Sequence, residues 1–104
     1  MFRYYVRPIG TKKDDSFYVP NNILFQAWRK VSRDLSGGLY DEDNLPEMLD
    51  RTVRGCARKV DCEVAEEFGG KKFSKRKLLK IVTRIYQKRV LWEIEYACYK
   101  YRCE

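Results

Sequence analysis

Lys77, Lys80, Arg84 and Lys88 recur at spacings that align them on one side of a helix, with Arg76 flanking them and Lys71 and Lys72 just upstream. A row of cations neutralises phosphate or carboxylate, Arg by forked hydrogen bonds and Lys as a point charge. The row would extend ~16 Å along a helix. If it met three to five phosphates of a duplex, the logarithm of affinity would fall against the logarithm of salt with a slope of roughly −3 to −5.

The stretch GGKKFSKRKLLK, residues 69–80, carries six Lys or Arg and no acid around an expected helix start. A helix N-terminus is already partly positive and favours Asp or Glu; a charge of the wrong sign there costs about 0.3–1 kcal/mol when exposed. An external anion would supply the missing negative charge. The plainer reading is a solvated helix face. The glycine pair followed by lysines resembles an anion pocket, but GGKKFS lacks the spacing of a nucleotide-binding P-loop.

Other constellations are weaker. Arg51, Arg54 and Arg58 line the outer face of a second expected helix and form a secondary basic face; Arg29 and Arg33 do the same on the first. Tyr4, Tyr5, Tyr96, Tyr99 and Tyr101 could stack bases if exposed on a sheet, whereas Trp28 and Trp92 read as core residues. Cys56 and Cys62 would stand ~9 Å apart on different helix faces, too far for a disulfide. Their spacing, like that of Cys98 and Cys103, departs from compact zinc pairs. Cys56 fits a core and Cys62 a surface. There is no histidine, which weighs against general-base catalysis near neutral pH. Asp41, Glu42 and Asp43 lack the EF-hand spacing and suit a helix N-terminus. Neither Glu66 with Glu67 nor Glu93 with Glu95 is marked as part of a cleft. No metal or cofactor is expected.

These side chains need elements to hold them. Residues 2–9 and 16–19, rich in aromatic and β-branched types, predict an N-terminal hairpin. Asn22 is placed to cap a first helix whose Leu24, Trp28, Val31 and Leu35 form the apolar stripe, ended by Gly37 and Gly38. Asn44, Pro46 and Glu47 open a second helix with Leu49, Val53, Cys56, Val60 and Val64 inward. Gly69 and Gly70 end it. The third helix starts near Ser74, with Phe73 and Leu78 as a hydrophobic staple and Leu78, Val82 and Ile85 inward.

Nothing in 71–104 breaks a helix, yet from Val90 the period becomes two: Val90, Trp92, Ile94, Tyr96 and Cys98 on one side, Glu93 and Glu95 on the other. Residues 90–101 therefore predict a strand that completes a three-stranded antiparallel sheet, in the order ββαααβ, with Arg3 and Arg7 facing Glu93 and Glu95. Continuation of the third helix is the alternative.

The chain has 104 residues, 44% hydrophobic and 36% charged, and a net charge of +7. That length suits one α+β domain over 1–104. Residues 41–68 carry −5 and 69–89 carry +9, the asymmetry of a protein that meets a polyanion or an acidic surface. With no long apolar run and no signal-peptide pattern, an intracellular location with reduced thiols and no membrane partner is expected. The expected function is non-enzymatic: a small basic protein contacting DNA or RNA through phosphate, with modest sequence specificity. The other class is a modulator or inhibitor whose basic face docks on an acidic surface of a nucleic-acid-handling enzyme or complex.

Overall fold

The computed structural model describes residues 3–10, 17–36 and 45–102, with side chains at 35–36, 45–50 and 97–102 outside that description. In chain order the elements are β1 (Arg3–Tyr5), α1 (Asn21–Ser36), α2 (Leu45–Phe68), β2 (Lys72–Ser74) and α3 (Lys75–Arg102). The three helices pack against one another. β1 and β2 form a two-stranded antiparallel sheet, with Arg3 opposite Ser74, Tyr4 opposite Phe73 and Tyr5 opposite Lys72.

The helical stripes keep the predicted period, but Trp28 and Ile85 are only half-buried, and Leu35 and Leu49 lie outside the described side chains. From α1, Ile23, Leu24, Ala27 and Val31 are buried; from α2, Val53, Cys56, Val60 and Val64; from α3, Leu78, Val82, Tyr86, Val90 and Ile94. Val6, Tyr18, Val19 and Phe73 complete the same core cluster. Ser74 opens α3, its Oγ accepting a hydrogen bond from the Lys77 N–H at 3.3 Å, and Phe73 and Leu78 are both buried beside it. α1 begins one residue before Asn22, with the Pro20 carbonyl accepting from the Ile23 and Leu24 N–H groups. The predicted caps Asn44, Gly37 and Gly38 lie outside the described residues.

α2 stops at the glycine pair for two separate reasons. Gly70 has φ +86, a left-handed conformation that costs glycine little. At Gly69 a Cβ would come within 2.9 Å of the Pro8 Cα and collide with the Ala65 carbonyl. The close approach lets Gly70 N–H donate to the Val6 carbonyl at 2.8 Å and Val6 N–H to that of Lys71 at 3.1 Å. The end of α2 is thereby stitched to the N-terminal strand.

The predicted hairpin is replaced by a different pairing. β1 takes β2 as its partner, and no strand forms over 17–19. That segment has the burial of a strand without the ladder: Tyr18 and Val19 are buried, and Asp61 of α2 satisfies their backbone. Its two carboxylate oxygens accept the Tyr18 N–H at 2.9 Å and the Val19 N–H at 2.8 Å. Arg7 closes the other side, its N–H donating to the Tyr18 carbonyl at 3.0 Å and its guanidinium to the Phe17 carbonyl at 2.6 Å.

The predicted C-terminal strand is also overturned, because α3 continues to Arg102. The sheet has two strands and the order is βααβα. The period of two is the overlay of two i, i+4 rows on one helix. Val90 and Ile94 are buried, while Trp92 and Tyr96 are exposed and stacked on each other, ring centroids 5.6 Å apart. Trp92 is thus not a core residue. The helix carries Arg89 and Glu93 beside its seam with α2, where both are paired: Lys59 to Glu93 at 2.7 Å and Arg89 to Glu63 at 3.1 Å. Glu93 meets Lys59 of α2, not Arg3 or Arg7.

Asp61 yields a direct stability test. Asp61→Ala would leave two buried N–H groups without acceptors, at a cost of about 3 kcal/mol or more. Asp61→Asn keeps one carbonyl acceptor and should fall between that variant and wild type. Urea midpoints measure both; an alanine variant as stable as wild type would refute this anchoring role.

Candidate polyanion-binding groove

α1 and α3 lie side by side, and their flanks enclose a groove of about 660 Å³. Lys30 reaches it from α1, and Arg76, Lys80 and Arg84 reach it from three successive turns of α3. All four are exposed. Among the described residues none of them has a hydrogen-bond or ion-pair partner. Asp34, the one carboxylate among the described lining residues, accepts a hydrogen bond from Gln87 at 3.3 Å. Thr83, also in the lining, is 6% exposed and its Oγ1 has no hydrogen-bond partner. That hydroxyl has almost no accessible surface, so the charged groups the groove presents are the four cations and the Asp34 carboxylate.

The predicted row of α3 cations is divided by the packing. Lys80, Arg84 and the flanking Arg76 turn towards α1. Lys88 lines a different groove beside Glu63, Glu66 and Glu67 of α2, where negative charge is already present within the chain. Lys77 stands 5.9 Å from the Phe73 ring and Lys71 5.9 Å from the Phe68 ring. Lys71 and Lys72 are exposed at the β2 end of the molecule, outside the lining of the groove. The secondary basic face behaves differently: Arg51, Arg54 and Arg58 are exposed, but each is engaged within the chain. Lys30 and Thr83 were not singled out by sequence reasoning. A lysine one position from Arg29 carries no signal until α1 is docked on α3, and a threonine in a helix reads as filler.

Among the described residues the cysteines do not build a second site. Cys56 is buried and Cys62 exposed, both as free thiols. Burial pushes the Cys56 thiol above its ordinary pKa, and the nearby Glu93 carboxylate adds to the effect. Cys98 and Cys103 lie outside the described side chains. Among the described residues, no three His, Cys, Asp or Glu side chains converge as a metal site. Tyr86, fully buried below α1 and α2, donates its hydroxyl to the Val53 carbonyl at 2.5 Å. Its phenol is also raised above the usual range, chiefly by burial.

Among the described residues no helix is long and apolar enough to cross a membrane. No family model matches the chain, and no curated protein or solved structure is detectably similar to it.

Two measurements test these environments. Iodoacetamide at neutral pH should modify Cys62 quickly and Cys56 only as fast as the protein opens, read by peptide mapping; the reverse order would contradict the packing. Cys56 and Tyr86 both have folded pKa values above the unfolded ones, so their stabilisation is complete below the unfolded values, roughly 8.5 and 10, and is lost as pH rises beyond them. The urea midpoint should therefore fall from about pH 8 upward, and Tyr86→Phe should flatten the part of the fall above about pH 10.

Proposed function

We propose that this protein binds nucleic acid through its phosphate backbone, without catalysis, using the groove between α1 and α3. The observation that carries this reading is the convergence of Lys30, Arg76, Lys80 and Arg84 on one groove, where none of the four has an ion-pair partner among the described residues. Side chains left in that state favour an external anion, and a row of them across several turns favours a repeating one over a single phosphate. Contacts of this kind fix position along a strand and carry little sequence information. Lys71, Lys72 and Lys77 extend the positive field beyond the groove. Lys88 contributes less, because the glutamates beside it offset its charge.

A second reading is that the basic face docks on an acidic protein surface. The exposed Leu91, Trp92 and Tyr96 of α3 favour it, since aromatic side chains anchor protein interfaces.

Labelled DNA and RNA, single-stranded and duplex, distinguish the two when titrated across a salt series. Four cations on a single strand correspond to a salt slope of about −3, and Lys80→Glu with Arg84→Glu should roughly halve it and weaken binding to every sequence alike. Arg51→Glu with Arg58→Glu should change the slope less. If wild type binds no nucleic acid even at low salt, the proposal fails, and retention of an acidic protein lost in the Lys80, Arg84 variant would support the second reading.

A further inference from the structure

The opposite flank of α1 borders a second cavity, of about 670 Å³, between that helix and α2. Its walls are mainly apolar and aromatic, Phe17, Leu24, Phe25 and Trp28 with Ala57 and Tyr86 behind them, and Asn21, Asn22 and Arg54 add polar groups to the lining. Phe25 is 50% exposed. Its ring lies 5.3 Å from that of Trp28, inclined by 31°, and the Arg29 guanidinium sits 4.6 Å over it. The Trp28 Nε1, buried in a residue of the wall, has no acceptor. Tyr86 has spent its hydroxyl on Val53.

From this arrangement we infer that the cavity receives an unpaired nucleobase, so that the protein prefers single strands to duplex. The inference rests on the phosphate-binding reading of the neighbouring groove and adds to it which form of nucleic acid is bound. Three observations converge on a base.

The first is continuity. Trp28 and Lys30 are two residues apart in α1 but line cavities on its opposite flanks. The exposed Arg29 and Arg33 lie on the ridge between them. A strand crossing one helix, roughly 10 Å wide, would pass from phosphates in the groove to a base in the cavity, over arginines that suit its charge.

The second is the chemistry of the wall. Flat aromatic rings accept the face of any base, and the guanidinium over Phe25 extends the platform with a cation that also stacks. The third is the polar part of the lining, Asn21 and Asn22, whose exposed amides both donate and accept. A base offers carbonyl oxygens and ring nitrogens as acceptors at its edge, whereas an aliphatic chain offers none. In a duplex those edges are paired and the faces stacked, so a paired base cannot enter without being extruded.

The test uses the intact chain with three ligands of equal length and similar charge: a single strand, a duplex, and a single strand of abasic sites. Wild type should bind the single strand at least about fivefold more tightly than the abasic one, the lower range for one stacked base. Phe25→Ala, at a half-exposed position, should remove that advantage and leave duplex affinity unchanged. In a Trp92→Phe background the single strand should quench Trp28 fluorescence and the abasic strand should not. Equal affinity for all three ligands, or a Phe25→Ala protein that keeps the preference, would overturn the inference while leaving the groove reading intact. Weaker binding to all three on Lys80→Glu with Arg84→Glu, alongside a selective loss of the single-strand advantage on Phe25→Ala, is the expected joint pattern. If no ligand binds to wild type, both readings fail. Quenching of Trp28 by a fatty acid but not by the oligonucleotides would assign the cavity to an aliphatic molecule and also overturn the inference.

Discussion

The carboxylate of Asp61 is 1% exposed in the middle of α2 and receives two consecutive backbone N–H groups from Tyr18 and Val19. Burying an ionised group without partners is costly, and here the partners are main-chain donors that would otherwise be buried without acceptors themselves. Each side thus satisfies the other's requirement. The consequence extends beyond the pair, because Val19 is followed by Pro20 and then α1. Holding residues 18–19 against α2 sets where α1 starts, and α1 is a wall of both cavities.

A second constraint acts at the other end of α2. The close approach of Gly69 to Pro8 and the left-handed turn at Gly70 bring β2 alongside β1 and deliver the chain directly into α3. No acid occupies the first turn of α3, so its positive end and the basic residues there remain uncompensated locally. Further along, Lys59 with Glu93 and Glu63 with Arg89 seal the seam with α2. Exposed ion pairs contribute modestly to stability. Their importance here is that long charged side chains can flank a packed helix when a partner stands across the seam.

That point explains the largest difference between expectation and structure. In residues 90–96, Val90 and Ile94 form one row and Trp92 and Tyr96 another, and a strand would place all four on one side. Period two and paired i, i+4 rows are identical over so short a window, and composition favours the strand because Trp, Tyr, Ile and Val suit sheets. The unbroken run from 71 to 104, free of glycine and proline, was the better guide. The predicted second strand misled in a related way: Tyr18 and Val19 are buried as a strand's side chains would be, but a carboxylate from a distant helix replaces the neighbouring strand.

Local pattern by itself determined the helices as far as Ile85, their apolar faces, the glycine stop, the Ser74 start and the concentration of cations after residue 69. Each follows from short-range rules of period, capping and backbone freedom that require only neighbours in the chain. Tertiary structure decided which cations stand together. Helix docking separated Lys88 from Lys80 and Arg84, brought Lys30 to them and closed Thr83 beneath. It also engaged the arginines of α2 within the chain, whereas Arg76 and Arg84 of the groove have no ion-pair partner among the described residues. The physical reason is that a side chain's helical angle is set by its own position, whereas its electrostatic surroundings are set by whichever helix packs beside it.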